Sequence, residues 1–195
     1  MPPKVKVTKE EILFAALDTV REGGEASLNV RAVASRLGVS TQPVFSNYES
    51  MDALRADVTQ YANRLYTQRT KELMASGRYP PYKASGMAYI LFAQEDRELF
   101  KLLFMRNRDG KQKRENDFDN VGYIIDLIQK NLNIDRETAN LFHLEMWTFV
   151  HGIATMYATN YLELDTDTVD KMLTDAYEGL SQRFTTGGSI WKTKS

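Results

Sequence analysis

The chain has 195 residues, 43% of them hydrophobic and 26% charged, which is enough apolar material for the buried core of one or two domains. It contains no cysteine, so disulfides and thiolate chemistry are excluded, and charge interrupts its apolar runs well short of the roughly 20 residues a membrane span needs. A formal net charge of −1 supplies no global attraction to nucleic acid, and the N-terminus lacks a signal peptide's apolar core, so the expected location is cytoplasmic.

Residues 1–7 read as a polar arm with two early prolines. Thr8 and Glu11 then form a capping box that opens a first helix over 8–24, with Ile12, Ala16 and Thr19 in one row and Leu13, Leu17 and Val20 beside it. Asn29 caps a second helix that carries Val30, Val33, Ala34 and Leu37 on one face. Gly38 can take the left-handed conformation that ends it, and Val39 supplies a buried residue for the turn. Ser40 is expected to cap a third helix, whose first turn tolerates Pro43 because an N–H there has no helical partner. Val44 faces inward, which leaves Thr41, Gln42, Ser46 and Asn47 as short polar groups able to approach base edges or phosphates. Ser50 caps a fourth helix from Met51 to about Ser76, with Asp52 in its first turn and Leu54 and Val58 one turn apart; Gly77, Pro80 and Pro81 end it. Two short helices meeting at Gly38-Val39-Ser40 outline a helix-turn-helix.

Further helices are expected at about 82–95, 97–105, 115–131, 136–161 and 167–183, with no convincing strand pattern, so the chain reads as all-α. The segment RNRDGKQKREN at 106–116 is basic and almost free of apolar residues, as a solvated loop would be. The tail at 185–195 is Gly- and Thr-rich apart from Ile190 and Trp191, and is expected to be poorly ordered. Aromatics and methionines, Phe100, Phe118 and Tyr157 among them, crowd the second half at spacings that favour core packing. An enzyme is disfavoured. His143 and His151 are eight residues apart, about 12 Å of helical rise, too far to share a metal ion, and no phosphate-binding glycine loop or Gly-x-Ser-x-Gly elbow is present. No catalytic residue, metal or cofactor is therefore expected.

With the first helix TKEEILFAALDTVREGG at 8–24, the Arg-x-Val-Ala step at 31–34, the Gly38-Val39-Ser40 turn and the aromatic pair Phe45 and Tyr48, the sequence resembles the N-terminal domain of the tetracycline-repressor (TetR) family of transcriptional regulators. FAQEDRELFKLLFM at 92–105, and Trp147 with His151-Gly152, look like one branch of that family's variable C-terminal domains. The resemblance implies a three-helix DNA-binding head at 1–58, joined by a long helix to a ligand-binding and dimerisation body at 59–184, with the tail at 185–195. It places Arg31, Ser40, Thr41, Gln42, Pro43, Phe45, Ser46, Asn47 and Tyr48 at double-stranded DNA. Gln42 is the best base reader, since its amide matches the donor and acceptor pair on adenine; Arg31 reaches a guanine or a phosphate, and Thr41 and Asn47 position phosphates. A lipophilic or aromatic effector would meet Phe92, Phe104, Tyr123, Phe142 and Met146, and a homodimer would form through Trp147, His151, Gly152, Tyr177 and Leu180.

The implied function is that of a repressor bound to a palindromic operator and released by a small molecule. Two departures bear on it. Phe45 stands where the family commonly has tyrosine, and Met51 where lysine or arginine is frequent, so backbone contacts are fewer and the salt dependence of binding shallower. Acids slightly outnumber bases over 1–58, an objection softened if Lys4, Lys6, Arg31 and Arg36 cluster near phosphates. The alternative is a helical adaptor whose head binds protein.

Overall fold

The computed structural model describes residues 7–105 and 121–186, and every regular element among them is helical. The arm at 1–6 with Lys4 and Lys6, the basic segment 106–116, Phe118 and the expected helix start at 115, and the tail from 187 with Ile190 and Trp191 lie outside the described residues.

Helix α1 (Lys9–Gly23) starts at the expected capping box: the Glu11 amide donates to Thr8 Oγ1 at 3.2 Å and the Thr8 amide donates to the Glu11 carboxylate at 2.8 Å. Its inner face buries Ile12, Ala16, Leu17 and Val20, and the Thr19 hydroxyl, also buried, donates to Ala15 O. A short 3-10 turn (Glu25–Ser27) precedes α2 (Val30–Arg36), where Asn29 Oδ1 accepts from the amides of Arg31 and Ala32. Gly38, at φ 66°, closes α2 by donating to Ser35 O, while the half-buried Val39 donates to Ala34 O at 3.0 Å. This pair of hydrogen bonds is a Schellman motif, which needs a left-handed residue where glycine stands.

Helix α3 (Gln42–Asn47) departs from expectation at its start. Ser40 is not its cap: the N-cap position is Thr41, and it makes no side-chain capping bond. The backbone of Thr41 is already helical, at φ −71° and ψ −17°, rather than extended as a capping residue is. A capping side chain bonds the amide of the second or third helical residue, and the second is Pro43, which has none. Helix α4 (Met51–Ala75) begins as expected, with the Ala53 amide donating to Ser50 Oγ, and gives way to Gly77 at φ 69°.

The remaining helices are α5 (Pro81–Glu95), α6 (Arg97–Phe104), α7 (Val121–Leu132), α8 (Arg136–Ala158) and α9 (Thr166–Thr186). α8 stops three residues before the expected 161. Asn160 takes a left-handed φ of 58°, and the Tyr161 amide returns to Met156 O at 2.9 Å, a second Schellman closure built on asparagine. α9 runs beyond the expected 183. Thr185 and Thr186, assigned to the tail on sequence, are helical, with hydroxyls donating to Ser181 O and Gln182 O.

By their contacts the residues form two compact units, Met1–Gln68 with Phe92–Arg106, and Arg69–Leu91 with Asn107–Ser195. In the first, α6 packs on α1 and buries Leu99, Phe100, Leu102 and Leu103. Arg21 Nε donates to Asp96 Oδ1 at 2.9 Å, and that aspartate is only 9% exposed. In the second, Ile124, Ile125 and Ile128 of α7 meet Ala139, Phe142 and Met146 of α8. The Phe142 ring stands edge-on to Tyr177 at 5.5 Å and to Phe184 at 5.6 Å. A Cβ on Gly86 of α5 would lie 3.4 Å from Val150, so that glycine lets α5 approach α8 closely.

Candidate nucleic-acid interface

Val44, 1% exposed, anchors α3, and the side of the helix turned away from it presents Gln42, Phe45 and Ser46 to solvent. Thr41 and Pro43 are half-buried at the helix start, Ser40 is exposed in the turn, and Arg31 is exposed in the first turn of α2. The structure thus brings most of the expected DNA-facing residues onto the turn and the two helices that flank it.

Asn47 and Tyr48 are placed differently. Asn47 is half-buried, and its amide donates to Pro43 O at 2.8 Å and Val7 O at 3.4 Å, so its protons point into the head. Tyr48 is 4% exposed, with the Lys9 ammonium 4.7 Å from its ring centroid. Burial, and then the Asp57 carboxylate that also faces Lys9 at 3.1 Å, hold the Tyr48 phenol well above its usual range. On sequence Tyr48 reads as a partner of Phe45; helical phase alone would have separated the two, because Tyr48 follows the buried Val44 by four residues.

The charges of the head are largely engaged within it. Lys9 faces Asp57, Arg21 faces Asp96 and Asp18, Arg36 pairs with Glu22, and Arg55 lies 3.4 Å from Asp52 while donating to Leu28 O at 2.9 Å. Arg36 is therefore tied to a carboxylate rather than grouped with Arg31. Among the described residues of the head, Arg31 is the basic side chain with no carboxylate partner.

In the second unit, the Trp147 ring stacks on His151 with centroids 4.9 Å apart and planes at 15°, and His151 Nδ1 lies 2.8 Å from the Tyr89 hydroxyl. A matching pair joins His143 Nδ1 to the Tyr82 hydroxyl at 3.2 Å, and burial lowers the pKa of both histidines. Trp147 is 42% exposed, and a Cβ added to Gly152 would meet open space. Leu141 and Leu144, three residues apart and ten and seven residues before His151, extend the exposed stripe of α8, a spacing that marks one helix face. Tyr177 and Leu180 do not join that stripe, because both pack against the core around Phe142.

The expected effector residues are divided between the two units. Phe92, 1% exposed, and Phe104 flank Tyr66 in the first unit at ring distances of 5.5 and 5.2 Å. Phe142 and Met146 are buried in the core of the second, and Tyr123 is 56% exposed on α7. Two surface depressions, of about 480 Å³ beside Asn133, Asp135 and Phe184 and about 350 Å³ beside Arg21, Gln94 and Asp96, include none of these five. Among the described residues no group of three or more His, Asp or Glu side chains converges to hold a metal, and no helix is long and apolar enough to cross a membrane.

Residues 82–179 match the family model for the tetracyclin repressor-like C-terminal domain. No curated protein matches the chain in sequence. Among solved structures, a TetR-like transcriptional regulator from Rhodococcus sp. RHA1 is similar with a TM-score of 0.61 at 17% identity, over 96% of this chain and 100% of that one. A TetR-family protein from Vibrio parahaemolyticus is similar at 0.60 and 16% identity, over 87% and 96%. A TetR variant from Acinetobacter baumannii AYE in complex with minocycline gives 0.51 at 17% identity, over 93% and 96%. The fold is shared with all three, and with half of its own length matching the family model, this chain belongs to the tetracyclin-repressor-like family of transcriptional regulators.

Proposed function

We propose that the chain is a cytoplasmic, dimeric, ligand-responsive DNA-binding regulator, acting as a repressor that a small molecule releases from a palindromic operator. The observation that carries this reading is the surface built on the Gly38 closure: α3 is anchored by Val44 and presents Gln42, while Arg31 stands exposed at the start of α2. Gln42 serves as base reader and Arg31 meets a guanine or a phosphate. Residues 1–58 act as the reading part and 59–184 as the ligand-binding and dimerisation part. Few basic side chains are left for phosphates, so specific binding accompanies a shallow salt slope.

The exposed stripe of Leu141, Leu144 and Trp147 on α8 supports pairing with a second copy. A two-fold dimer places two heads on half-sites whose centres are about 34–36 Å apart or a multiple of that. A lipophilic or aromatic molecule bound among helices 82–161 shifts α4 as a lever. It must favour the DNA-incompetent state by about 1.4 kcal/mol for each tenfold loss of operator affinity. The minocycline complex of the Acinetobacter structure supports a small-molecule response in this fold. Selection of binding sites from a random DNA library, with wild type and Gln42→Ala side by side at fixed moderate salt, tests the reading. A palindrome whose preference relaxes at defined positions in Gln42→Ala is the expected result; recovery of no site by the wild type would favour the protein-binding adaptor.

A further inference from the structure

The exposed face of α3 has few hydrogen-bonding protons to offer. The Ser46 hydroxyl donates to Gln42 O at 2.9 Å, and the Asn47 amide donates to Pro43 O at 2.8 Å. Between Gln42 and Ser46 stands Phe45, 53% exposed, on a helix whose inward position is already filled by Val44. A phenyl ring in water forgoes the stabilisation that burial would bring, and a helix of six residues has little surface on which to hide it.

The ring has neither donor nor acceptor, so it can neither hold a phosphate nor read the polar edge of a base. One feature of the major groove does reward it, the C5-methyl group of thymine, whose contacts are apolar. Phe45 follows Gln42 by three residues, on the same side of the helix and about 4.5 Å further along its axis, close to the roughly 3.4 Å that separates stacked bases. The geometry points to Phe45 as the reader of a thymine methyl group, one or two base pairs from the base that Gln42 meets. Gln42 and Phe45 then form a mixed reading pair, a bidentate amide beside an apolar plate. This inference rests on the proposed DNA-binding role of the head.

The test is site selection from two random libraries that differ in one group, thymine in the first and uracil, which lacks the methyl, in the second, with wild type and Phe45→Ala. Wild type is expected to select a thymine within two base pairs of the Gln42-dependent position. Uracil at that position in both half-sites should cost about fifteenfold in affinity, or about fourfold for each methyl removed. Phe45→Ala, altered at an exposed site, should bind thymine and uracil versions alike. A wild type that discriminates thymine from uracil no better than Phe45→Ala does overturns the inference while leaving DNA binding intact. A wild type that recovers nothing from either library overturns the reading of the head as well, and the two failures are told apart by whether any site is recovered.

Discussion

The two compact units finish their surfaces differently. In the first, helix ends are closed by the capping box of Thr8 and Glu11, by Asn29 and by Gly38, and most of the described cations are matched by carboxylates. Beside the Gly38 turn, Gln42, Phe45 and Arg31 stand exposed. In the second, long helices share an aromatic core around Phe142, and α8 leaves a continuous apolar stripe through Leu141, Leu144 and Trp147. Under the proposed function, a few exposed groups on a polar surface suit a partner that is met and released, whereas an apolar stripe along a 23-residue helix suits a partner that stays.

That contrast can be broken at its strongest point first. Phe142→Ala removes the ring that Tyr82, Tyr177 and Phe184 surround, and should destabilise the protein by about 3–5 kcal/mol in denaturant unfolding. A cost below about 1 kcal/mol would show that the second unit does not depend on this core. Arg21→Ala takes the guanidinium from the nearly buried Asp96 and should cost about 2 kcal/mol. Hydrogen exchange should rise in α6 and stay unchanged in α8; an equal rise in both would contradict a division into two units.

Smaller effects sharpen the comparison. Gly38→Ala meets open space within 4 Å, so only its positive φ is at stake, and a loss of about 1 kcal/mol is expected in thermal unfolding. The two histidines of the chain both lie in the second unit, and burial lowers both from 6.5. The unfolded chain therefore binds more protons below pH 6.5, so their contribution is complete above that pH and is lost as pH falls toward their folded values. Replacing both with asparagine should flatten this part of the stability profile. Leu144→Lys, at a side chain 56% exposed, should change protomer stability by less than about 0.5 kcal/mol. Under the proposed pairing through α8 it should nevertheless convert dimer to monomer in sedimentation velocity, and an unchanged dimer would put the contact elsewhere.

Much of the first unit was legible in the sequence because its determinants are local. Thr8 with Glu11, Asn29, Gly38 and Ser50 each act within four residues of themselves, and each behaves as read. The start of α3 was not legible, because residue type alone does not show that the helix opens on Thr41 with a backbone already helical. The early end of α8 was written in Asn160, a residue that tolerates the left-handed turn less visibly than glycine does. Tertiary partners were not legible. Nothing in the spacing of α6 says that its buried residues Leu99, Phe100, Leu102 and Leu103 belong to a helix packed on α1, and periodicity cannot tell that Tyr177 and Leu180 turn toward Phe142 rather than outward. Charge counting showed a near-neutral head, but only the folded positions reveal which bases are matched by acids.

The contact between α1 and α6 also sets an order of assembly. Arg21 and Asp96 are 75 positions apart, and the stretch that carries Asp96 is synthesised after residues 69–91, which belong to the other unit. On the ribosome α1 must wait for α6 with the side that α6 covers bare, and a head excised after residue 58 or 68 would keep that side bare permanently. A fragment intended to isolate the reading helices would gain solubility by carrying residues 92–106 along with them.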